Sequence, residues 1–198
     1  MSCRLVLASH NRKKAAELRD LLLPLGWLLE TLADFPGAPE PAEDGDTFEE
    51  NAIIKAESAL RFTGLPSLAD DSGLIVDVLD GEPGVHSARY AGANADDAAN
   101  NRLLLKKMEA IPDERRTARF VSVIAFVRPG EETRLYRGET SGRIMHAPRG
   151  LHGFGYDPLF MSDDLGVTFA EAGAEDKNRV SHRGRALARF IHDISGNG

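Results

Sequence analysis

Short apolar runs alternate along the chain with segments whose apolar residues recur every three or four positions. Residues 5–8 form the first continuous apolar run, a pattern typical of a strand that is covered on both faces. Helical spacing follows a polar turn, with an apolar face formed by Ala15, Leu18, Leu22 and Leu25. We predict a strand, a turn and a helix here, and then a second strand over residues 27–32.

A second helix is predicted after a proline-rich loop over residues 33–46. Thr47 and Glu50 have the spacing of a capping box, in which each side chain accepts a hydrogen bond from the backbone N–H of the other residue. We predict that the helix starts at this pair and extends to about Thr63. Gly64 is expected to end it, because glycine readily adopts the left-handed conformation at helix ends.

The middle of the chain predicts a turn, a strand and a further helix. Residues 70–73 are two aspartates, a serine and a glycine, and we interpret them as an acidic turn. The apolar residues that follow predict a strand over 74–79. Asn94 is expected to cap a helix that extends to about Glu109.

The last third of the chain predicts two neighbouring strands and a terminal helix. Residues 120–127 are strongly strand-like, and residues 133–138 are expected to return as a hairpin. Helical spacing over residues 181–194 predicts the terminal helix. The alternation of strands and helices, together with the hairpin, predicts an α/β protein with a mixed sheet.

Composition and charge restrict the function. The 198 residues are enough for one domain, with or without two lobes. Thirty-one acidic residues against 24 Lys and Arg give a net charge of -7, which argues against a nucleic-acid partner. A small phosphorylated ligand remains compatible, because a few cations can be concentrated at one site. Cys3 is the one cysteine, so the chain has neither an internal disulfide nor a cysteine-based zinc site.

The sequence predicts a cytoplasmic protein without a membrane partner. The N-terminus lacks the charged, apolar and small-residue pattern of a signal peptide. The most apolar stretch, residues 21–29, contains Pro24 and Gly26. It is also shorter than the roughly 20 apolar residues that a membrane-spanning helix needs.

A polar segment between the first strand and helix is a candidate phosphate site. It consists of Ser9, His10, Asn11, Arg12, Lys13 and Lys14. A helix N-terminus presents unpaired N–H groups and partial positive charge, which favour phosphate. Taken alone, the segment is better explained by an ordinary helix cap followed by solvated lysines.

The acidic pair Asp70 and Asp71 is a candidate magnesium site. Mg²⁺ prefers oxygen ligands and is usually held by one or two carboxylates together with waters and substrate phosphates. The pair also suits a plain turn before Ser72 and Gly73. A second acidic cluster upstream, at Glu43 and Asp44, favours the metal site.

Two later segments are candidates for binding a base. Residues 150–158 are glycine-rich, and Phe154 and Tyr156 offer ring faces on which a base can stack. Asp157 offers acceptors for a base N–H. Residues 177–184 are basic, although taken alone this segment is better explained by a helix cap at Ser181 and solvated cations.

Together these segments resemble the inosine/xanthosine triphosphate pyrophosphatase family, a group of house-cleaning nucleotide hydrolases. The matching segments are residues 8–14 with Glu17, 47–52 with Lys55, 69–74, 83–92, 153–158 and 175–184. The resemblance covers almost the whole chain, and the six segments follow in the order of the family. The resemblance implies a single α/β domain over residues 1–198, an elongated mixed β-sheet with flanking helices and two lobes around a central nucleotide cleft. It also implies a homodimer.

The resemblance also implies a role for each candidate residue. Asp71 would be the general base and a Mg²⁺ ligand, with Glu43 as a second metal carboxylate. Ser9, His10, Asn11, Arg12, Lys13 and Lys14 would hold the triphosphate, with Lys55 and Arg89 nearby, and Ser72 would contact the substrate. The base pocket would consist of Phe154, Gly155, Tyr156, Asp157, Lys177, His182 and Arg183. Tyr156 stands where many relatives carry Trp.

The residue types suit a base with an oxygen at position 6. Hypoxanthine and xanthine present an O6 acceptor and an N1–H donor, whereas adenine presents the reverse. A pocket that leaves buried groups unpaired against adenine discriminates strongly. We expect one of the three pocket cations, Lys177, His182 or Arg183, to bind O6. Asp157 either fixes the pocket or accepts from N1–H.

The expected reaction is a Mg²⁺-dependent attack at the α-phosphorus of a purine nucleoside triphosphate, which releases pyrophosphate. The residue types alone allow attack at the γ-phosphorus as well. Two alternatives remain, a pyrophosphatase for another modified nucleotide and a non-catalytic nucleotide sensor. Asp70 and Asp71 argue against the sensor, because extra negative charge does not help to bind a triphosphate without a metal.

Overall fold

The structure is a computed structural model that describes residues 3–9, 15–16, 18–19, 22–23, 26–39, 41 and 43–196. Within these residues the strands are β1 (Cys3–Leu7), β2 (Trp27–Thr31), β3 (Ser67–Val76), β4 (Thr117–Val127), β5 (Arg134–Ile144) and β6 (Phe160–Ser162). The helices with defined ends are α1 (Phe48–Thr63), α2 (Asp97–Lys107), α3 (Ala174–Val180) and α4 (His182–Ser195). Residues 15–16, 18–19 and 22 are also helical.

The strands form one mixed sheet in the order β2-β1-β3-β4-β5-β6. Strand β1 pairs in parallel with β2 and with β3, and Val6 lies opposite both Glu30 and Ser67. Strands β5 and β6 are antiparallel, with Gly142 opposite Ser162. The predicted α/β class, a mixed sheet with flanking helices, is therefore confirmed.

The chain divides into two compact units, Met1–Asp71 with Val123–Tyr136, and Ser72–Ser122 with Arg137–Gly198. In the first unit the β1 residues Leu5, Val6 and Leu7 are fully buried, as the apolar run predicted. Helix α1 buries a face of small residues, which are Ala52, Ala56 and Ala59.

Local signals at the ends of α1 act as predicted. The Thr47 hydroxyl accepts from the Glu50 N–H at 3.1 Å, and the Glu50 carboxylate accepts from the Thr47 N–H at 3.2 Å. At the other end Gly64 has φ 69° and its N–H donates to the Leu60 carbonyl. This capped helix is the element that carries Lys55.

Three sequence expectations are wrong in detail. Asp70 to Gly73 form no turn but lie inside β3, whose residues are almost all buried. The strand ends at Val76, and a 3₁₀ turn follows at Asp77–Leu79. Helix α2 is capped by Asp96 rather than Asn94, since the Asp96 carboxylate accepts from the Ala99 N–H at 2.6 Å.

The second unit is built on an aromatic core and a close helix–strand contact. The ring of Phe120 lies 4.6 Å from Phe160 and 5.9 Å, stacked, from Phe169. On β5 buried and solvent-facing positions alternate. One buried position is Gly138, where a Cβ atom would lie only 2.1 Å from the His182 carbonyl oxygen. Glycine thus allows α4, which begins at His182, to lie directly against the sheet.

Candidate active site

A lysine and two carboxylates meet in the first unit. The ammonium nitrogen of Lys55 lies 2.6 Å from Oδ1 of Asp71 and 3.1 Å from Oε1 of Glu43. It also donates to the main-chain oxygen of Asp70 at 3.2 Å. The loop before α1, the helix itself and β3 therefore each supply a member of this cluster, which we call the Lys55 cluster.

The Lys55 cluster is largely shielded from water. The side chains of Lys55 and Asp71 are 8% and 10% exposed, and that of Glu43 is 38% exposed. Burial acts to lower the pKa of Lys55, but the charges of Asp71 and Glu43 outweigh this effect and raise the pKa above its ordinary value. Lys55 is therefore a permanent cation at neutral pH, held by two acids.

The carboxylates of the Lys55 cluster suit a hard divalent cation. Glu43 and Asp71 converge on one point, the Lys55 ammonium, and carboxylate oxygens are the ligands that Mg²⁺ prefers. Among the described residues, no group of three or more His, Cys, Asp or Glu is arranged to hold a metal. Two carboxylates fit an ion whose remaining ligands are waters and substrate oxygens.

A buried ion pair organises the candidate base pocket in the second unit. Oδ2 of Asp157 accepts from the Lys177 ammonium at 2.7 Å and from the Phe154 N–H at 2.9 Å. Asp157 is only 4% exposed. Burial raises the pKa of this carboxyl, and the Lys177 charge acts in the opposite direction. The pair joins the glycine-rich loop to α3, a helix that sequence reasoning did not predict.

Two cations lie near the ring of Phe154. The Lys177 nitrogen is 5.4 Å and the Arg183 guanidinium carbon 5.7 Å from its centroid. Arg183 also donates to the Ser72 hydroxyl at 3.2 Å. The structure thus brings together four of the residues predicted to bind substrate.

His182 and Tyr156 are packed into the core of the second unit. The His182 ring stacks on Phe120 with centroids 4.7 Å apart and planes inclined by 13°. The Tyr156 hydroxyl donates to the Ser87 carbonyl at 2.9 Å, and burial raises the pKa of Tyr156 above its ordinary value. Both side chains are buried, and their contact with a base stays a prediction.

The backbone of Gly155 is fixed by two residues that the sequence did not indicate. Its N–H donates to the Asp97 carboxylate at 2.8 Å, and its carbonyl accepts from the Asn101 amide at 2.9 Å. Both partners lie on α2, more than 50 residues earlier in the chain. No local pattern links residues so far apart, so sequence reasoning had no signal for them.

Arg89 lies at the end of a 3₁₀ segment, Gly84–Arg89, and is partly buried. Its neighbours in the chain are held by Asn100, which accepts from the Ala91 N–H at 2.8 Å and donates to the Ala88 carbonyl at 3.1 Å. The main chain around Arg89 is therefore anchored to α2. The predicted approach of Arg89 to the phosphates stays a prediction.

The candidate phosphate segment is described only at its start. Ser9 follows β1 directly, and its N–H donates to the Leu7 carbonyl at 2.8 Å. His10, Asn11, Arg12, Lys13 and Lys14 lie outside the described residues.

Across the residues that are described, no helix is both long and apolar enough to cross a membrane.

Comparison with known proteins identifies the family. The model of the Ham1 family matches residues 5–193. A dITP/XTP pyrophosphatase of Geobacter sulfurreducens is 55% identical over 185 residues, 93% of each chain. A dITP/XTP pyrophosphatase of Thermus thermophilus is 52% identical over 188 residues, 95% of this chain and 90% of its own.

Solved structures of related proteins indicate the same family. A HAM1 protein from Coxiella burnetii superposes with a TM-score of 0.90 at 42% identity, covering 98% of this chain and 99% of its own. A nucleoside-triphosphatase, dITP/XTP pyrophosphatase, from Mycobacterium abscessus superposes with a TM-score of 0.79 at 48% identity, covering 95% of this chain and 98% of its own. The family inferred from six short segments is confirmed, and the chain belongs to the Ham1 family.

Proposed function

We propose that this protein hydrolyses the triphosphates of inosine, deoxyinosine and xanthosine to the monophosphate and pyrophosphate, which removes them from the nucleotide pool. The observation that carries this proposal is identity of about half the residues, over nearly the full length, to relatives named dITP/XTP pyrophosphatase. The residues of the Lys55 cluster are suited to the triphosphate of such a substrate, and the Asp157–Lys177 pair is suited to its base.

In the Lys55 cluster we assign Asp71 as the general base for the attacking water. Lys55 holds the Asp71 carboxylate in one orientation through a 2.6 Å contact. Glu43 and Asp71 would hold Mg²⁺, which would supply positive charge for the pyrophosphate that leaves. Ser9 to Lys14 would bind the triphosphate, with Arg89 adding a further cation.

In the base pocket we assign Lys177 and Arg183 as the cations that serve O6. Oδ2 of Asp157 already accepts two hydrogen bonds, so we place Asp157 as the residue that orients Lys177. Phe154, partly exposed beside both cations, provides the ring on which the base stacks. Adenine would bring an amino group toward these cations, and the donors would lose their acceptor.

The reaction breaks the bond between the α- and β-phosphates. Water loses a proton to Asp71 as its oxygen attacks the α-phosphorus, and pyrophosphate leaves with the electron pair of the broken bond.

We further propose that the enzyme acts as a cytoplasmic homodimer on free nucleotides. Light scattering coupled to size-exclusion chromatography tests the dimer, and a monomer at micromolar concentration would contradict it.

A steady-state panel tests the proposed function. Triphosphates of inosine, deoxyinosine, xanthosine, adenosine, guanosine and cytidine are supplied with Mg²⁺, and pyrophosphate and phosphate are assayed separately. We expect pyrophosphate release that is confined to the first three. Release of phosphate, equal turnover of all six, or binding without turnover would contradict the proposal, and the last result would indicate a nucleotide sensor.

A further inference from the structure

We propose that Asn51 is a positioning residue that holds Glu43 opposite Asp71, and so sets the affinity of the enzyme for its divalent metal. The inference rests on the proposed function, in which Glu43 and Asp71 bind the metal. The side chain of Asn51 hydrogen-bonds to the backbone of Gly45, two residues after Glu43. It acts through the backbone of the loop that carries Glu43.

Asn51 binds both polar groups of a single backbone position. Its Oδ1 accepts from the Gly45 N–H at 2.9 Å, and its Nδ2 donates to the Gly45 carbonyl at 3.3 Å. The residue is only 1% exposed, so water cannot replace either bond at low cost. Two bonds from one planar amide fix both the position and the orientation of Gly45, two residues after Glu43.

The residues between Glu43 and α1 are held at successive points. The Glu50 carboxylate accepts from the Asp46 N–H at 2.8 Å, in addition to the capping bond to Thr47. Gly45 lies so close to the helix that a Cβ atom there would be 2.7 Å from Cβ of Glu50. The first turn of α1 therefore serves as a template for the end of the proline-rich loop.

Asn51 and Lys55 are four residues apart, on the same face of α1. Lys55 binds the Glu43 side chain directly, and Asn51 fixes the backbone two residues later. An ammonium and a divalent cation compete for the same carboxylate oxygens. The Asn51 bonds involve no charge of the cluster, so they hold the loop with or without the metal.

The test is the Mn²⁺ affinity of the nucleotide-free protein, measured by calorimetry for wild type, Asn51→Ala, Glu43→Gln and the double variant. We expect Asn51→Ala to weaken binding about 10-fold, the size of effect seen for residues that orient metal ligands. The double variant should bind no more weakly than Glu43→Gln, because Asn51 acts only through Glu43. In turnover assays the Mg²⁺ requirement of Asn51→Ala should rise, and saturating Mg²⁺ should restore the rate.

Asn100→Ala is the matched control, since Asn100 is also a buried asparagine that binds two backbone groups of one loop. Its Mn²⁺ affinity should equal that of wild type. Gly45→Ala displaces the same backbone while keeping Asn51, and provides the test if Asn51→Ala fails to fold. It should reproduce the weaker binding.

Three results would overturn the inference. Asn51→Ala could bind Mn²⁺ as tightly as Asn100→Ala, or its effect could add fully to that of Glu43→Gln. Glu43→Gln could also leave Mn²⁺ affinity unchanged, which would remove the metal role of Glu43 together with the inference. Pyrophosphate release from deoxyinosine triphosphate would then still stand as a separate result, so the proposed function can survive the loss of this inference.

Discussion

The Lys55 ammonium lies 2.6 Å from the Asp71 carboxylate, and both side chains are about nine-tenths buried. A buried pair of this kind is costly to break, because the remaining partner keeps its charge without compensation. The pair therefore links the chemistry of the Lys55 cluster to the stability of the unit that contains it. Substitution of either residue should therefore affect both the catalytic rate and the free energy of unfolding.

Asp71→Asn should abolish most of the turnover while the fold is retained. The amide cannot accept a proton from water, and general-base catalysis contributes about 10²–10⁴-fold. We expect a fall in kcat of that size for inosine triphosphate, measured as pyrophosphate release. Far-UV circular dichroism should match that of wild type. Near-normal kcat would contradict the role of Asp71 as the base.

Lys55→Met should destabilise the metal-free protein and make its stability depend on Mg²⁺. Without the ammonium, Asp71 and Glu43 lose the cation that they share, and loss of one partner of a buried pair costs roughly 3–5 kcal/mol. A divalent cation bound by the same carboxylates would offset part of that loss. Urea unfolding with and without Mg²⁺ measures the effect. An equal Mg²⁺ stabilisation of wild type and variant would count against a shared metal site.

Local signals explain why much of the fold was predictable. Thr47, Glu50 and Gly64 determine the ends of α1 through contacts with near neighbours in the chain. The apolar run of β1 likewise needs only burial on both faces to form a strand. Elements of this kind can be predicted from the sequence because their stabilising contacts lie within a few residues.

Other features of the structure depend on distant residues, which no local pattern indicates. Asp70 and Asp71 are poor strand formers, yet they lie in β3, where Lys55 from another element binds the main-chain oxygen of Asp70 and the carboxylate of Asp71. The fixing of Gly155 by Asp97 and Asn101 likewise depends on chain segments that meet only in the folded protein. The resemblance named the candidate residues of the base pocket, but not the α2 residues that hold them.

Lys177→Met should reduce the preference for inosine over adenosine triphosphate. The variant loses the cation that Asp157 orients beside Phe154. A buried partner left unpaired typically costs about 1–3 kcal/mol, roughly 5- to 160-fold in kcat/KM for the preferred base. Arg179→Met is the matched control, because Arg179 lies on the same helix and is exposed. A preference that is unchanged in Lys177→Met would exclude this lysine as the base reader.

Asp157 should make the stability of the protein depend on pH. Its folded-state pKa is raised by burial above the ordinary 3.8, so the folded state binds a proton more tightly than the unfolded state. The stabilisation from that proton is present below 3.8 and is lost as pH rises through the folded-state pKa. Asp157→Asn removes this contribution. The difference in unfolding free energy, wild type minus variant, should therefore fall as pH rises above about 4, and a rising difference would contradict the raised pKa.

Gly153→Ala should damage the base pocket through a single methyl group. Gly153 has φ +76°, and a Cβ atom there would lie 2.1 Å from Oδ2 of Asp157, the oxygen that binds Lys177. Gly166→Ala is the control, because Gly166 has φ +68° and no atom within 4 Å of its Cβ position. Both variants should lose about 1–2 kcal/mol to backbone strain. Only Gly153→Ala should also raise KM for inosine triphosphate and reduce the preference for inosine over adenosine triphosphate. Equal kinetics of the two variants would mean that the position of Asp157 does not determine which base the enzyme prefers.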